Sequence, residues 1–367
     1  MKGAADMTQP LVAPPLTLLD LGTEHLVTLS RVLGYPAEET RSATALFRRF
    51  AVPWAGAPAA GTPPWPSDIT DDHTPFEFSL AIEDGTPELR FLTEAQAESP
   101  TVRSNWVAAR ALNHELSRDY EIDLGRLAAV EDLFVPTGDC PRFAMWHAVC
   151  LPLGKAPEFK IYLNPQARGL AHAPRLVAAA MARLGLGGAH LPALGPEDEL
   201  RYVSLDLCAG AQARIKIYIA HHRASSARIE AAVSSVRGHS PGRATAFCRA
   251  MSEPTNSFEA LPLLTCLSFV SGDNQPTSAT VHVPVRAYAE NDQLIEQRVL
   301  GYMSRPNSTV YRAALAAFAH RSLALRRGMQ TYVSLRMERE RMTVYLAPEA
   351  YTAQTRRTPL VALRSLP

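Results

Sequence analysis

The stretch "RIKIYI", Arg214 to Ile219, alternates without exception between charged or phenolic side chains and isoleucines. Successive side chains of a strand point to opposite faces. Arg214, Lys216 and Tyr218 therefore share one face, and Ile215, Ile217 and Ile219 share the other. One reading is the ordinary one, with the isoleucines toward a core and the polar row toward water. The rest of the chain decides between that reading and a polar interior.

Four more segments read as paired period-2 runs joined by a turn. They are "PFEFSLAIEDGTPELRFLTE" (75–94), "FAMWHAVCLPLGKAPEFKIYLNP" (143–165), "LLTCLSFVSGDNQPTSATVHVPVRAY" (263–288) and "TYVSLRMERERMTVYLAPE" (331–349). The opening stretch closes a fifth, "LRYVSLDLCAGAQARIKIYIAHH" (200–222). Between hairpins the apolar residues recur at three- and four-residue steps, as in amphipathic helices. Examples are "AEETRSATALFRRFA", "TVRSNWVAARALNHELSRDY" and "STVYRAALAAFAHRSLALR". The order is ααββ five times over, with the second helix of the third unit, around "GPEDELR", hardly visible. Tyr162 to Tyr218 is 56 residues, Tyr218 to His282 is 64, and His282 to Tyr345 is 63. Repetition on this scale marks stacked supersecondary units.

Five consecutive hairpins can join edge to edge and close, which removes every sheet edge. The expected architecture is α+β, a ten-stranded antiparallel barrel ringed by helices, in one domain over 1–367. Its core spans about 15–350, with 1–14 and 351–367 as peripheral tails. The isoleucines then meet the helices, and Arg214, Lys216 and Tyr218 line a lumen. Equivalent lumen positions are Arg90, then Lys160 and Tyr162, then Thr280 and His282, then Thr343 and Tyr345. Arg336 joins them from a first strand. Lys160 and Lys216 are two of only four lysines among 37 basic residues, as if arginine could not replace them there.

Buried cations without counter-charges cost several kcal/mol each, so a lumen holding them implies an anionic ligand. Arginine suits bidentate contact with phosphate, and lysine supplies a point charge. Tyrosines add hydroxyl donors and π-faces that stabilise a cation. A polyanion site beside aromatic faces suits ionisation of a diphosphate and shelter of the carbocation it leaves. Glu77 alternates with Phe76 and Phe78 and belongs on the lumen face. It can accept from a donor such as an indole N–H, or form an ion pair with Arg90 across its own hairpin.

Composition narrows the alternatives. The net charge of +1 gives no field for nucleic acid. No apolar run approaches the roughly 20 residues needed to span a bilayer. Cys140, Cys150, Cys208, Cys248 and Cys266 form no CxxC pair, so a cytoplasmic protein with reduced thiols and no zinc site is expected. "DDHTP" places Asp71 and Asp72 together but offers no third aspartate for a magnesium-binding motif.

As an ordered set, "PFEFS", "ELRF", "FKIYLNP", "ARIKIYI", "VHVPVRAYAEND" and "TYVSLRMERERMTVYLAPE" resemble the dimethylallyltryptophan synthase family of indole prenyltransferases, in a compact bacterial form. The resemblance implies the ABBA prenyltransferase barrel, with a solvent-filled lumen. It implies metal-independent transfer from an allylic diphosphate, dimethylallyl diphosphate as co-substrate, to tryptophan or a tryptophan-derived indole. No other cofactor, membrane or nucleic acid is called for. By position, Glu77 holds the indole N–H, while Arg90, Lys160, Arg214, Lys216, His282 and Arg336 bind diphosphate. Tyr162, Tyr218 and Tyr345 contact phosphate and shield the cation. Thr280 and His282 stand where fungal relatives carry glutamine and tyrosine. His147 is a candidate to take the proton leaving the ring, or a packed histidine beside Trp146. A phenolic or phenazine acceptor, or a non-catalytic barrel for a phosphorylated ligand, are the competing readings.

Overall fold

The structure is a computed structural model and describes residues 15–137, 142–210, 212–252 and 257–352. The tail 1–14, most of the tail 351–367, and Cys140 lie outside the described residues. Ten strands close into one barrel: β1 (Phe76–Glu83), β2 (Thr86–Glu94), β3 (Met145–Pro152), β4 (Glu158–Leu163) and β5 (Asp198–Asp206), then β6 (Ile215–His221), β7 (Leu263–Phe269), β8 (Ser278–Val283), β9 (Gln330–Arg336) and β10 (Met342–Leu346). Each strand pairs antiparallel with its neighbours in sequence, and β1 pairs with β10 to close the ring. A two-residue ribbon, Ala224–Ser225 with Ser257–Phe258, stands apart.

Alternation settles which face goes where. Ile215, Ile217 and Ile219 are fully buried against the helices, as are Phe76, Phe78, Val281 and Leu335. The hydrophobic core is therefore the shell between barrel and helices, and the lumen is left to polar side chains. The first hairpin turns through Asp84 and Gly85, with φ of 50° and 76°. Two successive positive φ values give the twist that suits a two-residue hairpin.

The helical layer is built from α1 (Leu18–Val32), α2 (Ala37–Ala51), α3 (Val102–Asp119), α4 (Gly125–Ala128), α5 (Ala173–Arg183), α6 (Ser226–Val233), α7 (Arg243–Ser252), α8 (Asp292–Tyr302) and α9 (Arg305–Phe318). Thr17 and Thr101 start α1 and α3 with reciprocal capping bonds. Gly22 of α1 lies against the Phe47 ring, where an added Cβ would come within 2.4 Å. The absent side chain lets α1 and α2 pack closely.

The repeat is uneven. The third unit has no second helix between Arg183 and Asp198, and that of the second unit is one turn plus a 3-10 segment, Glu131–Phe134. The loop 52–74 is fixed by two indoles on Glu94. Trp54 donates to its carbonyl at 3.1 Å and Trp65 to its carboxylate at 3.0 Å. No helix among the described residues is long and apolar enough to cross a membrane.

Candidate active site

The lumen holds two cavities that share a waist. Glu77, Leu92, Tyr162, Tyr218, His282 and Tyr345 line both. The first cavity, about 280 Å³, carries Arg90, Lys160, Arg214, Lys216, Arg336, Arg339 and Arg341 against three carboxylates, Glu77, Glu88 and Glu158. Thr280 and Thr343 also face it. The second, about 460 Å³, is walled by Trp146, Tyr202 and Tyr332 and bordered by the loop residues Asp68, Asp71 and His73.

The cations are not without counter-charges, which corrects the expectation from sequence. Arg90 Nε meets Glu88 Oε1 at 2.6 Å, Arg214 Nε meets Asp206 Oδ2 at 2.5 Å, and Arg336 Nε meets Glu338 Oε2 at 3.1 Å. Lys160 Nζ is 2.9 Å from Cys150 Sγ and 3.7 Å from Glu158. Lys216 Nζ is 3.8 Å from Asp206 Oδ1. Strand alternation places most of these acids two residues from a cation on the same face or across one ladder rung, a consequence of period 2. Burial and the neighbouring Lys160 charge push the Lys216 ammonium down to about 8.

The waist is aromatic. Ring centroids are 5.7 Å apart from Tyr162 to Tyr218 and from Tyr218 to His282, and 5.9 Å apart from His282 to Tyr345. Tyr202 extends the belt 5.7 Å from Tyr218, and Trp146 lies 5.3 Å beyond Tyr202. Burial raises the phenols of Tyr162 and Tyr218 and pushes Tyr345 up to about 12, so all three keep their protons near neutrality. His282 is pushed down to about 3 by burial and by Lys216 and Arg90. Its Nδ1 lies 3.4 Å from the Tyr345 hydroxyl, and its buried Nε2 has no hydrogen-bond partner among the described residues.

Glu77 is buried, and Thr331 Oγ1 donates to its Oε1 at 2.5 Å. Burial raises its carboxyl to about 7, and the Thr331 bond and Arg286 act against that. It does not pair with Arg90, which sits opposite Ser79 and bonds Glu88.

His147 does not reach the lumen, so it is not the proton acceptor. It pairs with Ile161 and Thr93 on the helix side of the wall. Its Nε2 is 3.0 Å from Asn113 Oδ1 and its ring packs 5.6 Å from Phe50. Burial pushes it down to about 3. Lumen positions on β3 belong to Trp146, Ala148 and Cys150, one residue to either side or beyond. The packed-histidine reading is the correct one.

Asp71 and Asp72 have structural partners. Arg286 donates to both Asp71 oxygens, and Asp72 accepts from Thr70, Thr74 and the Tyr351 amide. Arg201 pairs with Glu199 at 3.0 Å and Asp68 at 3.3 Å beside the second cavity. Tyr202, Tyr332 and Arg201 are lining residues beyond those expected from sequence. The signal was present in the matching "RYVSL" (201–205) and "TYVSL" (331–335), whose tyrosines fall on the lumen face. Arg286 and Asp68 come from loops, where no periodicity announces them.

Residues 22–317 match the tryptophan dimethylallyltransferase family. The chain belongs to that family. It is an aromatic prenyltransferase built on the closed ten-stranded barrel. The structure of 6-dimethylallyltryptophan synthase from Micromonospora olivasterospora, in complex with DMASPP and Trp, is 33% identical. That match covers 92% of this chain and 98% of that one with a TM-score of 0.85. The 5-dimethylallyl tryptophan synthase from Streptomyces coelicolor, also in complex with DMASPP and Trp, is 28% identical over 95% of this chain and 99% of its own, with a TM-score of 0.87. Prenyltransferase fogH from Aspergillus ruber (strain CBS 135680) is 31% identical over 120 residues, which is 31% of this chain and 27% of that protein's length.

Proposed function

We propose that this family member transfers a dimethylallyl group from dimethylallyl diphosphate to the indole ring of tryptophan or a tryptophan-derived compound, without a metal ion. The observation that carries this reading is Glu77 at the waist between a cationic cavity and an aromatic one. The diphosphate lies among Arg90, Lys160, Arg214, Lys216 and Arg336, with His282 at its inner edge. These cations supply the charge that magnesium would otherwise bring. Among the described residues no three His, Cys, Asp or Glu side chains converge as metal ligands. The free thiols Cys150, Cys208, Cys248 and Cys266 fit a cytoplasmic enzyme.

The reaction is a dissociative aromatic alkylation. The allylic C–O bond breaks and its electron pair leaves with pyrophosphate, where preorganised cations stabilise the growing charge. Tyr162, Tyr218 and Tyr345 surround the allylic cation with π-faces and exclude water. The indole N–H donates to Glu77, and a ring carbon forms the new C–C bond with its π-electrons. The ring proton then passes to a base at the waist. With His147 outside the lumen, the buried His282 Nε2, which has no hydrogen-bond partner among the described residues, supports His282 in that role. Arg201 and Asp68, ion-paired beside the acceptor cavity, suit the carboxylate and ammonium of a free amino acid. That arrangement favours tryptophan itself over a cyclic dipeptide. A plain phosphate-binding barrel leaves Glu77 and the aromatic belt without a role.

The test is incubation with dimethylallyl diphosphate and tryptophan, with and without EDTA, followed by mass and NMR analysis of the product. A monoprenylated tryptophan formed in EDTA is expected. No product, or full and reversible loss in EDTA, overturns the reading.

A further inference from the structure

We propose that Asp206 is a built-in counter-ion of the diphosphate cavity. It holds the cations while no phosphate is bound and competes to take them back when pyrophosphate leaves. This rests on the diphosphate site described above.

Asp206 closes β5 directly opposite Lys160 in the ladder. Its side chain is 8% exposed and shares the lumen face with Lys160, next to the lining cations Arg214 and Lys216. Oδ2 accepts from Arg214 Nε, but Oδ1 makes no hydrogen bond among the described residues and sees Lys216 Nζ only at 3.8 Å. Lys160, Lys216 and Arg214 all stabilise its charge. Arg126 of α4 presents two buried, unpartnered guanidinium nitrogens, and Asp206 is the leading charge that favours its cationic form.

Other buried or half-buried carboxylates of the barrel wall look different here. On the outer wall, Asp198 gives one oxygen to His221 and the other to Arg228 and the Gly195 amide. Glu88 divides its two oxygens between Arg90 and Arg341. Asp206 instead makes one bond, to Arg214, and leaves the second oxygen 3.8 Å from Lys216, with the Lys160 charge also favouring its ionised form. A buried oxygen left unbonded is costly in a finished network, and acceptable where the partners are shared with a ligand.

The charge balance gives the direction. Without Asp206 the empty cavity packs Lys160, Lys216 and Arg214 together, which discourages protonation of Lys216. With it the cations stay charged, but each has an alternative to phosphate. Breaking the C–O bond leaves pyrophosphate with one more negative charge than the substrate carried. A fixed carboxylate beside the cations therefore penalises the product more than the substrate, which assists release.

The experiment measures pyrophosphate affinity by calorimetric titration of wild type, Asp206→Asn and Asp206→Glu, with steady-state product inhibition beside it. Asp206→Asn is expected to bind pyrophosphate at least tenfold more tightly and to show correspondingly stronger product inhibition. Asp206→Glu should remain near wild type. A residue that merely positions Arg214 would give weaker binding when removed. Unchanged or weaker binding in Asp206→Asn, with wild type binding normally, overturns the proposal and leaves the diphosphate site standing. Failure of wild type to bind pyrophosphate overturns the site itself. Should Asp206→Asn not fold, Asp206→Ser must show the same tightening. If neither neutral variant folds, the charge is structural and the proposal fails.

Discussion

The two ends of one lumen are made from the same strands yet differ in kind. At one end seven basic side chains face three carboxylates. At the other, Arg142, Arg201 and Arg286 meet Asp68, Asp71, Glu77 and Glu199 amid Trp146, Tyr202 and Tyr332. The first end has surplus positive charge and draws a polyanion. The second is balanced and aromatic, and suits a flat ring bearing both charges. The difference follows from position along each strand. Lys216 and Tyr218 are two residues apart on β6, the same face and roughly 7 Å along the axis. A barrel that repeats this step around its wall gathers the cations at one depth and the rings at the next.

The sharpest way to break the comparison is Lys216→Ala. It should cut kcat/KM by about a hundredfold, about 2.7 kcal/mol of transition-state stabilisation. Pyrophosphate affinity should fall with it, while tryptophan binding measured by titration stays within about twofold. Removing a cation from a repulsive cluster leaves the packing intact, so the melting temperature should not drop. An equal loss at both ends would mean the two cavities do not bind separate ligands.

Glu77→Gln probes the waist and should cost about tenfold in alkylation, again with little effect on pyrophosphate. Wild type should lose heavily when tryptophan is replaced by its 1-methyl analogue, provided a ring carbon is alkylated, and Glu77→Gln should hardly notice. Equal losses in both proteins would show that Glu77 does not hold the N–H.

Arg201→Gln should raise KM for tryptophan about fivefold, on the order of 1 kcal/mol, and leave tryptamine, which lacks the carboxylate, nearly unchanged. A matching loss for tryptamine would remove Arg201 from acceptor recognition.

The smallest effects are those of pH, and the two ends should titrate differently. Lys216 is depressed from 10.5 to about 8, so pyrophosphate affinity of the empty enzyme should decline as pH rises through about 8. Its contribution to fold stability runs the other way, present above 10.5 and lost as pH falls through about 8. Glu77 is raised from 4.5 to about 7, so acceptor kcat/KM should climb through about pH 7 as the carboxylate forms. The stability tied to Glu77 is present below 4.5 and lost as pH rises through about 7. Pyrophosphate titrations and acceptor kinetics across pH 5–9, repeated in Glu77→Gln and Lys216→Ala, should each lose one limb. A limb that survives its variant belongs to another group.

Period 2 made much of this legible. It put Arg90, Lys160, Tyr162, Arg214, Lys216, Tyr218, His282, Arg336 and Tyr345 on one face, and all nine line the lumen. It also decides between the two readings of His147, because Trp146 and Ala148 beside it occupy the lumen face. The same parity puts Tyr202 and Tyr332 of the first strands, in their shared "YVSL", on the lumen face.

By itself the sequence determined the alternation of each strand, the ααββ recurrence, and hence a closed wall with one greasy and one polar face. These are local properties, since a side chain's face depends only on its parity along the strand. Tertiary structure alone decided what stands opposite what. The pairing of Asp206 with Lys160, the approach of Thr331 to Glu77 across 254 residues, and the arrival of Asp68 and Arg286 from loops all depend on ladder register and closure. Those are contacts between distant segments, and no periodicity within a segment can encode them.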